Sequence, residues 1–467
     1  MVIFAVIVCV CFVKPQILMR RIIVHIFCFI ISLSLFAEQR LIGGSWSGKL
    51  ELGNGRHLRL VFHILEDGKG ITMDSPDQGV KGIPLDVQYL SSDSLNCSKS
   101  AMMLSFSGRL ENERLSGTFF QRGLTIPLTL NRVTEKVNRP QTPLPPYPYS
   151  EESVLITNDS VILSGTLTLP EEVNAYTPVV LMITGSGLQN RDEELFEHRP
   201  FAVIADYLAR RGIASLRYDD RGFGESTGNV ANATTADFAD DAKMALDWLR
   251  NTGRFGKIGI IGHSEGGQIA YMLGAEKSAD YIISIAGPSI PGFQTIAFQN
   301  KIALLKSGID EKTADDFAVA IEKAFNYKLT HTHSILVNDT LIAELYPQFK
   351  DNALTARLAE SLRQLLREKY ENEWMMFFLA YDPKTDLMKV EIPTLIIYGE
   401  KDKQVPPALN FAPAREYCPH AKILLYPELN HLMQHAVTGN VEEYSLIEET
   451  ISPQVLSDIT TFIHSMK

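Results

Sequence analysis

The chain of 467 residues is long enough for two or three folded units, and its 45% hydrophobic and 21% charged residues are typical of a globular protein. Its formal net charge of -11 makes it acidic, which argues against nucleic acid or an anionic membrane surface as a partner. A large hydrophobic core is therefore expected, and a nucleic-acid partner is not.

Residues 1–37 are predicted to be a signal peptide. An apolar stretch at residues 22–36 follows a basic start at Met19 and ends before Ala37. About fifteen apolar residues are short for a membrane span but suit the core of an export signal. We expect cleavage near Ala37, no stable membrane span afterwards, and export to the periplasm or the extracellular space. An uncleaved N-terminal anchor is the alternative.

The cysteine pattern gives no sign of a disulfide framework. Only two of the five cysteines, Cys97 and Cys418, lie beyond the predicted signal peptide, and they fall in different predicted domains. Neither lies on a strand-to-helix turn, so neither is expected to act as a nucleophile.

Residues 41–134 are predicted to form a small all-β N-terminal module. Short, partly alternating apolar runs are separated there by turn sequences, which is typical of an antiparallel sheet or barrel. The expected strands are 46–52, 58–65, 102–110, 114–121 and 125–130. A structural role for this module is preferred, and ligand binding or dimerisation is the alternative.

A proline-rich linker at residues 135–150 separates this module from the rest of the chain, residues 151–467. In the second part, apolar runs suited to buried parallel strands alternate with helical patterns, which favours a doubly wound α/β fold. Residues 287–393 have helical patterns but are too long for a simple crossover. The strands expected to be parallel are 179–184, 214–218, 257–261, 281–286, 394–398 and 422–426, after a hairpin at 154–169.

A Gly-x-Ser-x-Gly pentapeptide, residues 262–266, lies between an apolar strand and a helical pattern. This turn is so tight that it pushes the hydroxyl of Ser264 out at the carboxyl edge of the sheet. A serine hydroxyl is a poor nucleophile, so it requires a histidine base and an acid that orients the histidine. Asp402 and His431 each follow a later strand at the same edge, and Glu400 is the nearest competitor of Asp402.

With Ser264, Asp402 and His431 in this order, residues 151–467 resemble the α/β-hydrolase superfamily, specifically its esterase and serine-aminopeptidase-like branch. The resemblance implies an α/β-hydrolase fold with a doubly wound, mostly parallel sheet and a helical cap insertion at about residues 288–390 over the serine. It also implies that Ser264 is the nucleophile, His431 the base and Asp402, rather than Glu400, the orienting acid.

An oxyanion hole is a further implication of this resemblance. Two backbone N–H groups must point at the negative charge that develops during acyl transfer. Glu265, directly after the nucleophile, is expected to supply one. Ser186, in the loop after the strand at 179–184, is expected to supply the other, with Gly187 as the alternative.

The resulting hypothesis is an exported serine hydrolase, a carboxylesterase acting on small or medium acyl esters. A serine aminopeptidase-like peptidase or a thioesterase is the alternative, and the peptidase would need an acidic cluster such as Glu193, Glu194 and Glu197 to hold a substrate amine. A non-catalytic envelope-binding protein on a hydrolase fold is a hypothesis of a different class. No metal or organic cofactor is expected, because the known metal and dinucleotide motifs are missing. The oligomeric state stays open.

Overall fold

A computed structural model describes residues 42–466, apart from 54–55, 66–69, 79, 134–137, 159, 332–335 and 368–372. The predicted signal peptide lies outside the described residues. The described part of the chain forms two compact units, with the boundary in the sequence between residues 138 and 139. Within the described residues, no helix combines the length and the hydrophobicity needed to cross a membrane.

The first unit is a closed barrel in which eight strands pair in chain order. All pairs are antiparallel, and β1 also pairs with β8, which closes the barrel. Large side chains fill its interior, among them Trp46, Phe62, Phe106 and Phe119. The strands are β1 (Gly44–Gly53), β2 (Arg56–Ile64), β3 (Ile71–Ser75), β4 (Val80–Leu90), β5 (Ser94–Lys99), β6 (Leu104–Glu111), β7 (Arg114–Gln121) and β8 (Leu124–Arg132).

This barrel confirms the prediction of a small all-β N-terminal domain. Burial alternates along β6 and β7, as the two-residue period of a strand requires when one face meets a core. The barrel also contains three strands that the sequence patterns did not predict: β3, β4 and β5.

The second unit, called the α/β unit below, contains a sheet with the strand order β16-β15-β14-β13-β11-β12-β10-β9. The strands from β11 to β16 pair in parallel, whereas β9 and β10 form an antiparallel hairpin at one edge. The strands are β9 (Ser150–Thr157), β10 (Ile162–Leu169), β11 (Val179–Ile183), β12 (Ala214–Tyr218), β13 (Ile258–His263), β14 (Tyr281–Ile285), β15 (Thr394–Gly399) and β16 (Lys422–Tyr426).

Helices cover both faces of this sheet, which explains why its central strands are continuous apolar runs. Along β11, Val180 packs into the core on one face of the sheet, and Leu181 packs into the core on the opposite face. The doubly wound prediction is therefore confirmed. These helices are α1 (Pro200–Ala209), α2 (Thr235–Asn251), α3 (Glu265–Ala275), α10 (Pro407–Tyr417) and α12 (Pro453–His464), with the short α9 (Lys384–Leu387) and α11 (Val441–Tyr444) in connections.

Six helices of the described residues lie between β14 and β15, and the first five of them are called the helical insertion below. They pack around a core of their own, which includes Phe317, Leu358 and Phe378. Gly292 in α4 lies directly against α8, because an added Cβ would meet the carbonyl oxygen of Phe378 at 2.1 Å. The helices are α4 (Gly292–Lys306), α5 (Glu311–Thr330), α6 (Asp339–Leu345), α7 (Ala353–Arg367) and α8 (Glu373–Ala380).

Candidate active site

Ser264 occupies the sharp turn between β13 and α3, with φ 54° and ψ -115°. This backbone conformation is strained for a residue with a Cβ, and such strain persists only where the surroundings enforce it. The N–H of Ser264 donates to the carbonyl of Ile285 at 2.8 Å, and its own carbonyl accepts from the N–H of Gly267 at 2.9 Å. The turn is therefore held from the neighbouring strand and from the following helix.

Glycine is required on both sides of this serine. A Cβ on Gly262 would lie 2.0 Å from the carbonyl oxygen of Gly266, and a Cβ on Gly266 would lie 2.1 Å from that of Ile183. Both oxygens belong to backbone that cannot move aside cheaply. The close approach of helix and strand thus explains the Gly-x-Ser-x-Gly spacing that the sequence analysis singled out.

Asp402 and His431 are in direct contact. Oδ2 of Asp402 lies 2.7 Å from Nδ1 of His431, and both side chains are buried. The other carboxylate oxygen of Asp402 accepts the N–H groups of Gln404 at 2.7 Å and of Val405 at 2.8 Å. Because a carboxylate can only accept, the proton of a neutral His431 lies on Nδ1, and Nε2 is left as a base. The competing Glu400 is exposed.

The loop that carries His431 folds back against the serine turn. Nε2 of His263 donates to the carbonyl oxygen of His431 at 3.0 Å, and the two imidazole rings lie with centroids 4.9 Å apart. His263 directly precedes Ser264, so the predicted base and the predicted nucleophile come from adjacent backbone segments. His435, by contrast, is exposed and pairs with Glu449 at 2.8 Å.

Glu193 is a buried member of this site that the sequence analysis considered only as part of an acidic cluster for a substrate amine. Its Oε1 accepts from Nδ1 of His263 at 2.8 Å and from the N–H of Gly185 at 2.9 Å. Both ring nitrogens of His263 thus face acceptors, an arrangement that only the imidazolium form satisfies. Burial lowers the pKa of His263, but the charge of Glu193 and its hydrogen bond outweigh burial and raise the pKa above its ordinary value. A buried ion pair therefore lies beneath the serine.

The predicted oxyanion loop runs beside Ser264. A Cβ added to Gly185 would meet the Cβ of Ser264 at 3.2 Å, so this backbone passes within van der Waals reach of the serine. Asp220 fixes the loop by accepting from Thr184 Oγ1 at 2.8 Å and from the N–H of Gln189 at 2.7 Å. Burial raises the pKa of Asp220 well above its ordinary value despite these hydrogen bonds.

The two predicted oxyanion residues differ in their surroundings. Glu265 begins α3 and is buried, so its N–H lies at the positive end of that helix. Ser186 is half-buried, and the alternative Gly187 is exposed with φ 92°. In the part of the chain that the structure describes, no three histidine, cysteine or acidic side chains are grouped as metal ligands.

A family model described as serine aminopeptidase, S33, matches residues 197–435, which is just over half of the chain. This stretch includes Ser264, Asp402 and His431, whereas the barrel and the Ser186 loop lie outside it.

The curated proteins that are similar to this chain include two esterases. The chain is 26% identical over 293 residues to esterase EstD of Thermotoga maritima, which covers 62% of this chain and 61% of that protein. The chain thus spans about three fifths of the length of this relative. It is 22% identical over 254 residues to the bifunctional esterase/perhydrolase DCH of Acinetobacter calcoaceticus, covering 51% of this chain and 85% of that protein. Among solved structures, an esterase of Pyrococcus furiosus is similar at 16% identity and a TM-score of 0.41, covering 71% of this chain and 98% of that one.

Proposed function

Because the chain belongs to the serine aminopeptidase, S33, family of α/β hydrolases, we propose that it is a serine hydrolase that cleaves carboxylic esters with small or medium acyl groups. The observation that carries the proposal is the buried contact of Asp402 with His431 at 2.7 Å, next to the strained turn of Ser264. This combination supplies an oriented base beside a serine whose backbone is held in an otherwise unfavourable conformation.

The reaction follows from the proton positions. Nε2 of His431 takes the proton of Ser264 Oγ while Oγ bonds to the ester carbonyl carbon and the carbonyl π electrons move to its oxygen. When the C=O bond re-forms, the bond to the leaving alkoxide breaks, and the alkoxide receives the proton from His431. Water then attacks the acyl-serine by the same route and releases the acid and free Ser264. Throughout, Asp402 accepts from Nδ1 and stabilises the imidazolium.

The N–H groups of Glu265 and Ser186 are proposed to stabilise the oxyanion. The N–H of Gly185 already donates to Glu193, so it is not available for this role. Ser186 is the next residue along the loop and supplies the next N–H. Removal of one such donor costs about 10²–10³ in kcat in comparable sites.

Ester cleavage is preferred over aminopeptidase activity because the acidic residues of the Glu193 loop have partners within the protein. Glu193 is buried against His263. Glu194 lies 3.5 Å from Arg199, and Glu197 lies 4.0 Å from Arg139. A substrate amine would have to displace these internal contacts. The esterase names of the two curated relatives point in the same direction.

Export to the periplasm or the extracellular space also belongs to this proposal. It rests on the basic start at Met19 and the apolar residues 22–36. N-terminal sequencing of the protein from fractionated cells tests it: a start near residue 38 is expected, and a mature chain that retains the apolar stretch would refute cleavage.

The function is tested with p-nitrophenyl esters from acetate to long chains, beside aminoacyl p-nitroanilides, with Ser264→Ala as the control. We expect turnover of short and medium esters by the wild type and none by the variant. Turnover of anilides alone would favour the peptidase. If a folded wild type turns over neither class and is not labelled by a fluorophosphonate, the non-catalytic binding hypothesis replaces the proposal.

A further inference from the structure

The helical insertion reaches the serine turn through a tryptophan. Trp374, near the start of α8, donates its indole N–H to Oε1 of Glu265 at 2.8 Å. Glu265 directly follows Ser264, and its side chain is only 3% exposed. Because α8 belongs to the insertion and Glu265 begins α3, this hydrogen bond joins the insertion to the residue that carries a proposed oxyanion donor.

The same carboxylate oxygen accepts a second hydrogen bond from α2. Thr235 Oγ1, at the start of α2, donates to Oε1 of Glu265 at 2.7 Å. A buried carboxylate is costly unless donors compensate its charge. Here two neutral donors do so, one from the body of the α/β unit and one from the insertion.

The orientation of Trp374 is fixed within the insertion itself. Its ring stacks on that of Phe378, with centroids 5.5 Å apart and an angle of 12° between the planes. The backbone of Phe378 lies directly against Gly292 of α4, where an added Cβ would come within 2.1 Å of its carbonyl oxygen. The packed helices of the insertion therefore present the indole N–H to Glu265.

A second contact ties the insertion to the loop of the predicted acid. Nε2 of Gln299, in α4, donates to the carbonyl oxygen of Gln404 at 3.1 Å. The N–H of Gln404 in turn donates to Oδ1 of Asp402 at 2.7 Å. Two helices of the insertion thus touch residues that adjoin Ser264 and Asp402.

The charge of Glu265 matters because of where its backbone lies. During acyl transfer, negative charge develops on the oxygen that faces the Glu265 N–H. A carboxylate on the same residue opposes that charge, and the opposition is strong in a buried site of low dielectric constant. Hydrogen bonds to Oε1 reduce this repulsion and hold the carboxylate towards α2 and α8.

From these contacts we propose that Trp374, a residue of the helical insertion, is a positioning residue for acyl transfer. Its indole N–H holds and partly neutralises the Glu265 carboxylate, so the neighbouring N–H stabilises the oxyanion fully. Without the Trp374 N–H, Glu265 keeps only the Thr235 side-chain donor and the oxyanion is less stable. The inference rests on the proposed serine-hydrolase function.

A double-mutant cycle on ester hydrolysis tests this role. Trp374→Phe keeps an aromatic ring against Phe378 but removes the N–H, and we expect kcat to fall about tenfold while KM changes less than about twofold. The kcat of the double variant Glu265→Gln/Trp374→Phe is compared with that of Glu265→Gln alone. It should be lower by less than about twofold, because the amide of Gln carries no charge that the indole N–H would have to compensate. Equal losses in the two backgrounds, or no loss in the first, would overturn the proposal.

Two further variants separate this charge effect from loss of packing. Thr235→Val removes the other donor to Oε1 with little change in shape, and it should lower kcat by a similar factor. Phe377→Leu changes a neighbouring residue of α8 that stacks on Tyr381, and it should leave kcat within about twofold. Circular dichroism confirms that each variant is folded. A loss in Phe377→Leu as large as in Trp374→Phe would assign the effect to packing and overturn the proposal.

If the serine-hydrolase proposal itself is wrong, the wild type hydrolyses no ester, which distinguishes this case from failure of the Trp374 proposal. The rate at which a fluorophosphonate labels Ser264 replaces kcat in the same cycle, since phosphonylation also builds charge on the oxygen in the oxyanion hole. Labelling that shows the predicted coupling would support the role of Trp374 without an identified substrate. Absence of labelling in a folded wild type would refute both proposals.

Discussion

Glu193 and His263 form a buried pair in which Oε1 lies 2.8 Å from Nδ1. The same oxygen accepts the N–H of Gly185, and the opposite ring nitrogen of His263 donates to the carbonyl of His431. One carboxylate and one ring therefore connect three backbone segments: the predicted oxyanion loop, the serine turn and the loop of the predicted base. A change at this pair is expected to disturb all three at once.

Glu193→Gln is expected to lower kcat for ester hydrolysis by about tenfold or more, because a neutral amide no longer holds His263 as an imidazolium bound to His431. KM should change much less than kcat, since both side chains of the pair are buried. Glu194→Gln is the matched control, because Glu194 pairs with Arg199 near the surface and a pair of this kind contributes little. Activity that depends on Glu194 rather than Glu193 would contradict this assignment.

The pH dependence of stability gives a second test of the same pair. The pKa of His263 is lowered by burial but raised on balance above 6.5 by Glu193, with smaller contributions from the His431 carbonyl and Asp402. A raised folded-state pKa contributes stability that is complete below the unfolded value of about 6.5 and is lost as pH rises through the folded value. The difference in Tm between the wild type and Glu193→Gln should therefore be larger near about pH 6 than near about pH 9. A difference that stays constant over this range would mean that His263 is neutral.

Asp402→Asn is expected to lower kcat by about 10³–10⁴ without unfolding the protein. The amide oxygen can still accept from Gln404 and Val405, so its NH₂ group then faces Nδ1 of His431. A histidine in that position must carry its proton on Nε2 and no longer acts as a base for Ser264. Glu400→Gln, at the exposed competitor, should leave kcat unchanged. A loss of kcat in Glu400→Gln without a loss in Asp402→Asn would identify Glu400, rather than Asp402, as the orienting acid.

Arg139 is expected to stabilise the α/β unit from the end of the linker, because its guanidinium donates to four carbonyl oxygens. These are the carbonyls of Phe196 at 3.2 Å, Glu197 at 3.3 Å, Ser445 at 2.8 Å and Ile447 at 2.8 Å. Lysine has the charge but not the planar fork, so Arg139→Lys should lower Tm by about 2–5 °C. Arg210→Lys, at a more exposed pair with Asp206, should change Tm much less. Equal Tm values for Arg139→Lys and the wild type would contradict a stabilising role of the Arg139 guanidinium.

Much of the α/β unit could be predicted from the sequence because its signals are local. A buried parallel strand is a continuous apolar run, and the serine turn needs two glycines at fixed spacing. The order of Ser264, Asp402 and His431 then predicted that the last two would meet. Their hydrogen bond is present in the structure, while their catalytic roles stay predictions.

Other features could not be predicted because they depend on distant partners. The strands β4 and β5 were missed because β4 contains Gly82 and Pro84 and β5 is mostly polar, so neither resembles a strand until its neighbours in the barrel are known. Glu193, which has a positive φ of 52°, contacts His263 although the two residues lie 70 positions apart in the chain. Likewise, an aromatic helix pattern in α8 does not say which ring will reach Glu265.

The strained turn at Ser264 also places activity and stability in opposition. Glycine would adopt φ 54° and ψ -115° without the steric cost of a Cβ, and relief of such strain is worth about 1–3 kcal/mol. Ser264→Gly should therefore unfold at a higher temperature than Ser264→Ala, which retains the Cβ; equal unfolding temperatures would show that the strain is small. Both variants lose the hydroxyl and with it the proposed activity, but only Ser264→Gly also relieves the backbone strain. A lineage of this protein released from the need for hydrolysis would be expected to drift towards glycine at this position, and the persistence of serine there would record continued selection for activity.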